Sequence, residues 1–252
     1  MKQKISLMAL VVIFAISLTS CNKNSQDNPS SLTSSALSFK MQALNKSVSL
    51  PVSASGMKSA SVTSAAVVWD KATMLVSKVS FEAAMKSVLT GKDSLTIAYT
   101  WRGPRTIDLF DLTSTIGSIV LPAGTYDKIS LNVKSEREDA NGLPLVFLSG
   151  NYTNAAGTVV PIVISVSDPI SFNTVQKNDT IVAGVATDLS STIQIYLDQL
   201  MVQVDISALD HATLTDGKLV ISATSNKELY QMIMQNLRKD HGCKYEHFHH
   251  GK

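Results

Sequence analysis

Four of the five histidines fall in the last twelve residues, as His241, His247, His249 and His250, with Cys243 and Glu246 among them. Imidazole and thiolate together suit zinc or another transition metal such as copper or nickel. The spacing His-x-Cys-x3-His-x-His-His matches no structural zinc module. A site built on a terminus also has to offset the ordering of that terminus from metal binding itself. Two readings therefore stand side by side: a metal site at His241, Cys243, His247, His249 and His250, or a solvent-exposed tail with adventitious affinity.

Elsewhere the chemistry is sparse. The chain contains no Gly-x-Ser-x-Gly, no Gly-x-x-x-x-Gly-Lys, no His-Glu-x-x-His and no Gly-x-Gly, the local signatures of nucleophile elbows, phosphate loops, zinc hydrolases and dinucleotide folds. His211 is the single histidine of the body and reads as a surface polar residue. Glu136, Glu138 and Asp139 precede Asn141-Gly142 and read as a solvated hairpin tip. The expectation is a protein that is not an enzyme and has no resident cofactor. For binding, Trp101 beside Arg102, with Tyr99 two residues earlier, is the candidate ligand platform, since aromatic rings stack on sugars and carry an amphipathic surface. Trp101 also continues an apolar alternation, which fits a core position equally.

Those residues sit on a pattern of period two. Leu37, Phe39, Met41 and Ala43 alternate with polar neighbours. So do Leu75 with Val79, Phe81, Ala83 and Met85, then Leu95, Ile97, Tyr99 and Trp101. Ile129, Leu131 and Val133 repeat it, followed by Val160, Ile162, Ile164 and Val166, by Ile193, Ile195 and Leu197, and by Leu219 and Ile221. Turn residues fill the gaps at Arg102-Gly103-Pro104, Pro122-Ala123-Gly124, Asn141-Gly142 and Asn154 to Gly157. Short alternating strands between turns predict an all-β, mostly antiparallel β-sandwich or barrel. One amphipathic helix is expected over 226–239: Ser225 and Glu228 form a capping-box pair, and Leu229, Met232, Ile233 and Leu237 recur at helical spacing.

The N-terminus reads MKQKISLMALVVIFAISLTSC. Lys2 and Lys4 precede an apolar run from Ile5 to Leu18, shorter than the roughly 20 residues a bilayer-spanning helix needs, so it reads as a signal peptide. Leu18-Thr19-Ser20-Cys21 resembles the lipobox of bacterial lipoproteins. The resemblance implies cleavage before Cys21, diacylglyceryl attachment to its thiol and acylation of its new amine, anchoring the chain in the outer membrane, facing the periplasm or the cell surface. Two or more acyl chains hold a soluble domain stably at a bilayer. Residues 22–35, NKNSQDNPSSLTSS, are a polar leash. Removing the signal takes Lys2 and Lys4 away and leaves 20 basic against 20 acidic residues. A neutral mature chain offers no general attraction to nucleic acid, and its two cysteines cannot make a disulfide framework.

Residues 106–134, TIDLFDLTSTIGSIVLPAGTYDKISLNVK, resemble a Bacteroidota-type lipoprotein domain family of unknown function. Ile107-Asp108-Leu109 and Leu121 to Tyr126 carry the likeness. It implies an Ig-like or transthyretin-like sandwich and no particular activity. Asp93-Ser94-Leu95 and Asp179-Thr180-Ile181 resemble the O-glycosylation acceptor of the same bacteria. The expected organisation is a signal peptide at 1–20, a lipidated cysteine and tether at 21–35, a β-sandwich body at 36–240 and a His/Cys-rich tail at 241–252. The expected function is a membrane-tethered, non-catalytic binding or adhesion module for a glycan, a protein or an envelope partner. The alternatives are metal binding through the tail and a pilus-like assembly subunit.

Overall fold

The alternation in the sequence becomes burial from the first strand onward. In β1 (Ser35–Leu44), Leu37, Phe39, Met41 and Ala43 are buried and the residues between them are half-buried. The structure, a computed structural model, describes residues 34–50, 65–86, 92–176, 181–184, 187–239 and 241–249. The signal peptide, Cys21, nearly all of the leash, Asp179-Thr180 and His250 lie outside these.

After β1 come β2 (Ser47–Leu50), β3 (Ala65–Lys86), β4 (Asp93–Asp108), β5 (Gly117–Leu121) and β6 (Gly124–Ser135). A short 3-10 turn at Arg137–Asp139 leads to β7 (Val146–Thr153), β8 (Val159–Val166), β9 (Ile170–Gln176), β10 (Ile181–Ala183) and β11 (Thr187–Tyr196). Two short helices follow, α1 (Leu197–Leu200) and α2 (Ile206–Asp210), then β12 (Leu214–Thr215), β13 (Lys218–Ser222), α3 (Lys227–Lys239) and β14 (His241–His249). The protein is all-β with one long C-terminal helix.

The strands make two sheets. The smaller has the order β14-β11-β1-β5, with β1 and β11 parallel. The larger runs β10-β6-β3-β7-β8-β13-β12, with β2 and β4 also on β3 and β9 on β6. Apart from β1–β11 and β8–β13 the pairings are antiparallel. One continuous apolar core joins Phe39 and Ile193 of the small sheet, Val79, Phe81, Leu131 and Ile164 of the large one, and Ile233 and Leu237 of α3. Each fully buried side chain of this kind contributes about 1.5–3 kcal/mol relative to exposure.

β3 is the spine. Its 22 residues pair first with β2 and β7, then with β4 and β6. Register shifts at Trp69/Lys71 and Val76/Lys78 interrupt it. Extra residues of this kind bend a strand and raise its twist. At the first shift the partner is Gly150, where a Cβ would collide with the Val68 carbonyl. The second answers the Gly103-Pro104 dipeptide, whose peptide bond is cis. The turn expected at Arg102-Gly103-Pro104 is thus an irregularity inside a continuous β4, because pairing resumes on both sides, Arg105 with Val76 and Arg102 with Lys78.

The other turns sit where the sequence puts them. Asn154 Oδ1 accepts from the Ala156 and Thr158 amides at 3.0 and 2.8 Å, and Gly157 takes φ +82°, so the β7–β8 hairpin is tied by an Asx turn. Between β5 and β6, the buried Tyr126 folds its hydroxyl back to donate to the Pro122 carbonyl at 2.6 Å. Helix α3 starts one residue later than expected. Asn226, at φ 49°, occupies the cap position, and its carbonyl accepts the first helical bond from Tyr230. Glu228 is then the second residue of the helix, so the Ser225–Glu228 pair is out of capping-box register.

The residues set apart as a tail form a strand. β14 runs antiparallel to β11, with His249 opposite Thr187, His247 opposite Leu189, Cys243 opposite Ile193 and His241 opposite Ile195. The folded body therefore continues past 240, where a boundary was expected, to 249.

Candidate functional site

A cleft of about 740 Å³ lies between β2 and the segment carrying α1 and α2. That volume is within the range of small-ligand sites, roughly 300–1,000 Å³. Asn45 closes the β1–β2 turn at φ 60°, a left-handed conformation that Asn tolerates better than most side chains. From there its Nδ2 donates to Asp198 Oδ1 at 2.7 Å, and Gln199 Nε2 donates to the other carboxylate oxygen at 3.1 Å. Burial, the largest influence on Asp198, pushes its pKa up. The hydrogen bonds from Asn45, Gln199 and the backbone outweigh it and hold the carboxyl below its ordinary value. Asp198 is therefore an anchored acceptor on one wall.

The other wall is the loop between α1 and α2. Met201 and Val202 donate backbone bonds to Asp198 and Gln199, and Gln203 turns the chain at φ 63°. Asp205 caps α2 by accepting from the Ser207 amide at 3.0 Å. Helix α3 fixes the rim from behind, since Asn236 Nδ2 donates to the carbonyls of Leu200 and Val202 at 3.0 and 2.8 Å. The exposed Ser47 and Ser49 line the β2 side, and the nearly buried Val48, Leu50, Met201 and Val204 complete the lining. Hydroxyls, side-chain amides and two carboxylates on the lining can hydrogen-bond the polar edge of a polyhydroxylated ligand.

The aromatic candidates lie elsewhere, and the strand separates them. Tyr99 and Trp101 share one side of β4, paired with Phe81 and Val79 of the core. Tyr99 stacks on Phe39 at 6.0 Å between ring centroids, and Trp101 covers Gly117, whose Cβ position lies 3.5 Å from the indole. Both are half-buried, while Arg102 is exposed on the opposite side, because successive strand residues alternate. The structure brings Tyr99 and Trp101 together and sends Arg102 away from them.

His211 is exposed at the end of α2. Its Nδ1 lies 2.7 Å from the Ser207 carbonyl, which puts the ring proton on Nδ1. Glu136 and Glu138 are exposed and Asp139 half-buried in the 3-10 turn, and Asn141 and Gly142 follow at φ 49° and +83°. Among the described residues no group of three or more His, Cys, Asp or Glu side chains is placed to hold a metal ion. The side chains of 241–249 lie outside that statement. In backbone terms, His241, Cys243, His247 and His249 take alternate positions along β14.

Sequence reasoning missed the cleft. Asn45 and Asp198 are 153 residues apart, and neither belongs to a motif. The available hints were polar residues next to strand ends: Asn45 between two apolar alternations, and Asp198 just after Ile193, Ile195 and Leu197. No protein-family model matches the chain, and no curated protein and no solved structure matches it.

Proposed function

We propose that this chain is a lipoprotein, anchored through Cys21 to the outer membrane and facing the periplasm or the cell surface, whose body is a non-catalytic binding module for a glycan. The observation that carries the ligand class is the cleft, which gathers an anchored carboxylate at Asp198, a second at Asp205 and the hydroxyls of Ser47 and Ser49. Loops and strand ends held on a rigid sheet are where recognition is usually carried. The anchor rests on the lipobox-like LTSC preceded by a basic and apolar leader.

The body is read as a β-sandwich of Ig-like or transthyretin-like type. What supports this is the pair of sheets sharing one core and the Tyr126 hydroxyl bonded to the Pro122 carbonyl, the same kind of device as the tyrosine corner of Ig-like sandwiches. The test of the ligand class is a panel of neutral oligosaccharides titrated into the full chain in detergent. Saturable binding by at least one supports the reading, and binding by none removes it.

One observation favours a second reading, a metal-binding lipoprotein. Residues two apart on a strand lie about 6.6–6.8 Å apart along it, and β14 sets His247 with His249 and His241 with Cys243 at that spacing. Deleting the tail would strip the strand that pairs with β11, so the test is His247→Ala with His249→Ala. If Zn²⁺ binds the unaltered chain and this variant with equal weak heats, the metal reading fails.

A further inference from the structure

A row of three cations crosses the outer face of the large sheet. Arg102 of β4 stands directly opposite Lys78 of β3, and Lys78 directly opposite Lys134 of β6. Residues paired this way share a face, with Cβ atoms about 4.5–5.5 Å apart. It is the outer face, because the adjacent Val79 and Val133 are fully buried beneath it. None of the three side chains has an ion-pair or hydrogen-bond partner among the described residues. Lys134 faces Ser171 of β9 at the end of the row.

The next row on this face is neutral and polar. Thr100, Ser80, Asn132 and Asn173 follow one another across β4, β3, β6 and β9, and Asn132 Nδ2 donates to Ser171 Oγ at 3.0 Å. The acids next along β3 and just past β6 lie off the row. Glu82 is four residues along β3 from Lys78, about 13 Å at strand rise. Glu136 is two residues past Lys134, beyond the end of β6, with its amide bonded to Ser77 Oγ at 3.0 Å.

Like charges directly opposite one another destabilise a sheet. The mature chain is neutral overall, so this repulsion is concentrated locally, and an anion laid across the row would relieve it. We propose that this face binds an anionic polysaccharide. Its carboxylates or sulfates would meet Arg102, Lys78 and Lys134, and its hydroxyls the Thr100–Ser80–Asn132–Asn173 row. The guanidinium of Arg102 offers a planar fork suited to either acid group. The two rows show no aromatic ring on which nucleic-acid bases could stack, and no large apolar side chain to enter a bilayer. The proposal adds an acidic ligand class to the binding reading and does not use the cleft, so neutral-oligosaccharide binding is unchanged by substitutions here.

The test uses the full chain in detergent, with polygalacturonate as probe and dextran as its neutral counterpart. The expected result is polygalacturonate binding that dextran does not displace and that weakens with salt at a log–log slope of about 2–3, as three neutralised charges dictate. The variant Arg102→Thr/Lys78→Thr/Lys134→Thr loses about tenfold or more in affinity and most of the salt slope. Lys78→Thr alone weakens binding yet raises the melting midpoint, because it removes the central repulsive charge; a structural lysine would lower it. Unchanged polygalacturonate binding by the triple variant, a parallel loss of any dextran binding in that variant, or no binding of polygalacturonate by the unaltered chain overturns the proposal. So does tighter binding to mixed micelles carrying an anionic lipid, which would make the face a membrane contact.

Discussion

Tyr126, Tyr152 and Tyr230 each bury a ring and donate the hydroxyl to a distant oxygen or turn carbonyl: Tyr126 to the Pro122 carbonyl at 2.6 Å, Tyr152 to Asp210 at 2.7 Å and Tyr230 to Asp168 at 2.9 Å. Burial raises the pKa of all three above the ordinary 10.0, with Asp210 and Asp168 adding to it for Tyr152 and Tyr230. Between 10.0 and the raised values the folded protein keeps protons that the unfolded chain has lost. Stability from this source is complete below pH 10.0 and is lost as pH rises through the folded values. Urea midpoints should therefore fall on going alkaline of pH 10, and Tyr152→Phe should flatten that fall. Tyr126→Phe leaves the Pro122 carbonyl without this donor in a part-buried corner. A loss of about 1–2 kcal/mol in urea unfolding is expected, and no loss would mean that the corner closes without its hydroxyl.

At the scale of elements, Asn226 joins α3 to the β12–β13 hairpin. Its Oδ1 accepts from the Thr213 amide at 3.0 Å, and its Nδ2 donates to the carbonyls of Thr213 and Val220 at 2.9 and 2.8 Å. Asn226→Ala removes all three bonds and keeps a left-handed backbone that costs an alanine about 1–2 kcal/mol. Thermal unfolding should show it less stable than Asn226→Gly, which loses the bonds alone; equal stability would mean that the conformation carries no cost. The strands and α3 were legible because their periods are set by which side chains meet the core. Even so, the helix buries Tyr230 and Met234 as well as the expected Leu229, Ile233 and Leu237, and leaves Met232 half-buried. β14 was not legible, since His, Gly and Cys at 241–243 give no alternation of apolar and polar residues and only β11 supplies its pairing. Nor was the break in β4, where Gly103-Pro104 reads as a turn until Val76 and Lys78 are seen to skip a residue opposite it. The cleft depends on contacts between distant parts of the chain, such as Asn45 with Asp198, and local patterns do not encode those. The Arg102–Lys78–Lys134 row is hidden for the same reason: it exists only in the register of three strands.

For the whole molecule, the proposal joins a tether and a body. Cys21→Ser removes the thiol proposed to carry the lipid, so the protein should leave the membrane fraction while keeping the melting temperature of its body. Retention in the membrane after that change would assign the anchoring to another feature. In that proposal the cleft carries the body's task, and Asp198 is the residue that tests it, being held in α1 by Asn45 and Gln199. The most direct measurement is calorimetric titration of the best neutral oligosaccharide from the panel into the full chain and its Asp198→Asn variant, with melting temperatures taken in parallel. Saturable heat from the unaltered chain, falling about tenfold or more in affinity in the variant as one charged hydrogen bond is lost, is the predicted result. Equal affinity in two equally stable proteins would contradict the cleft as the binding site.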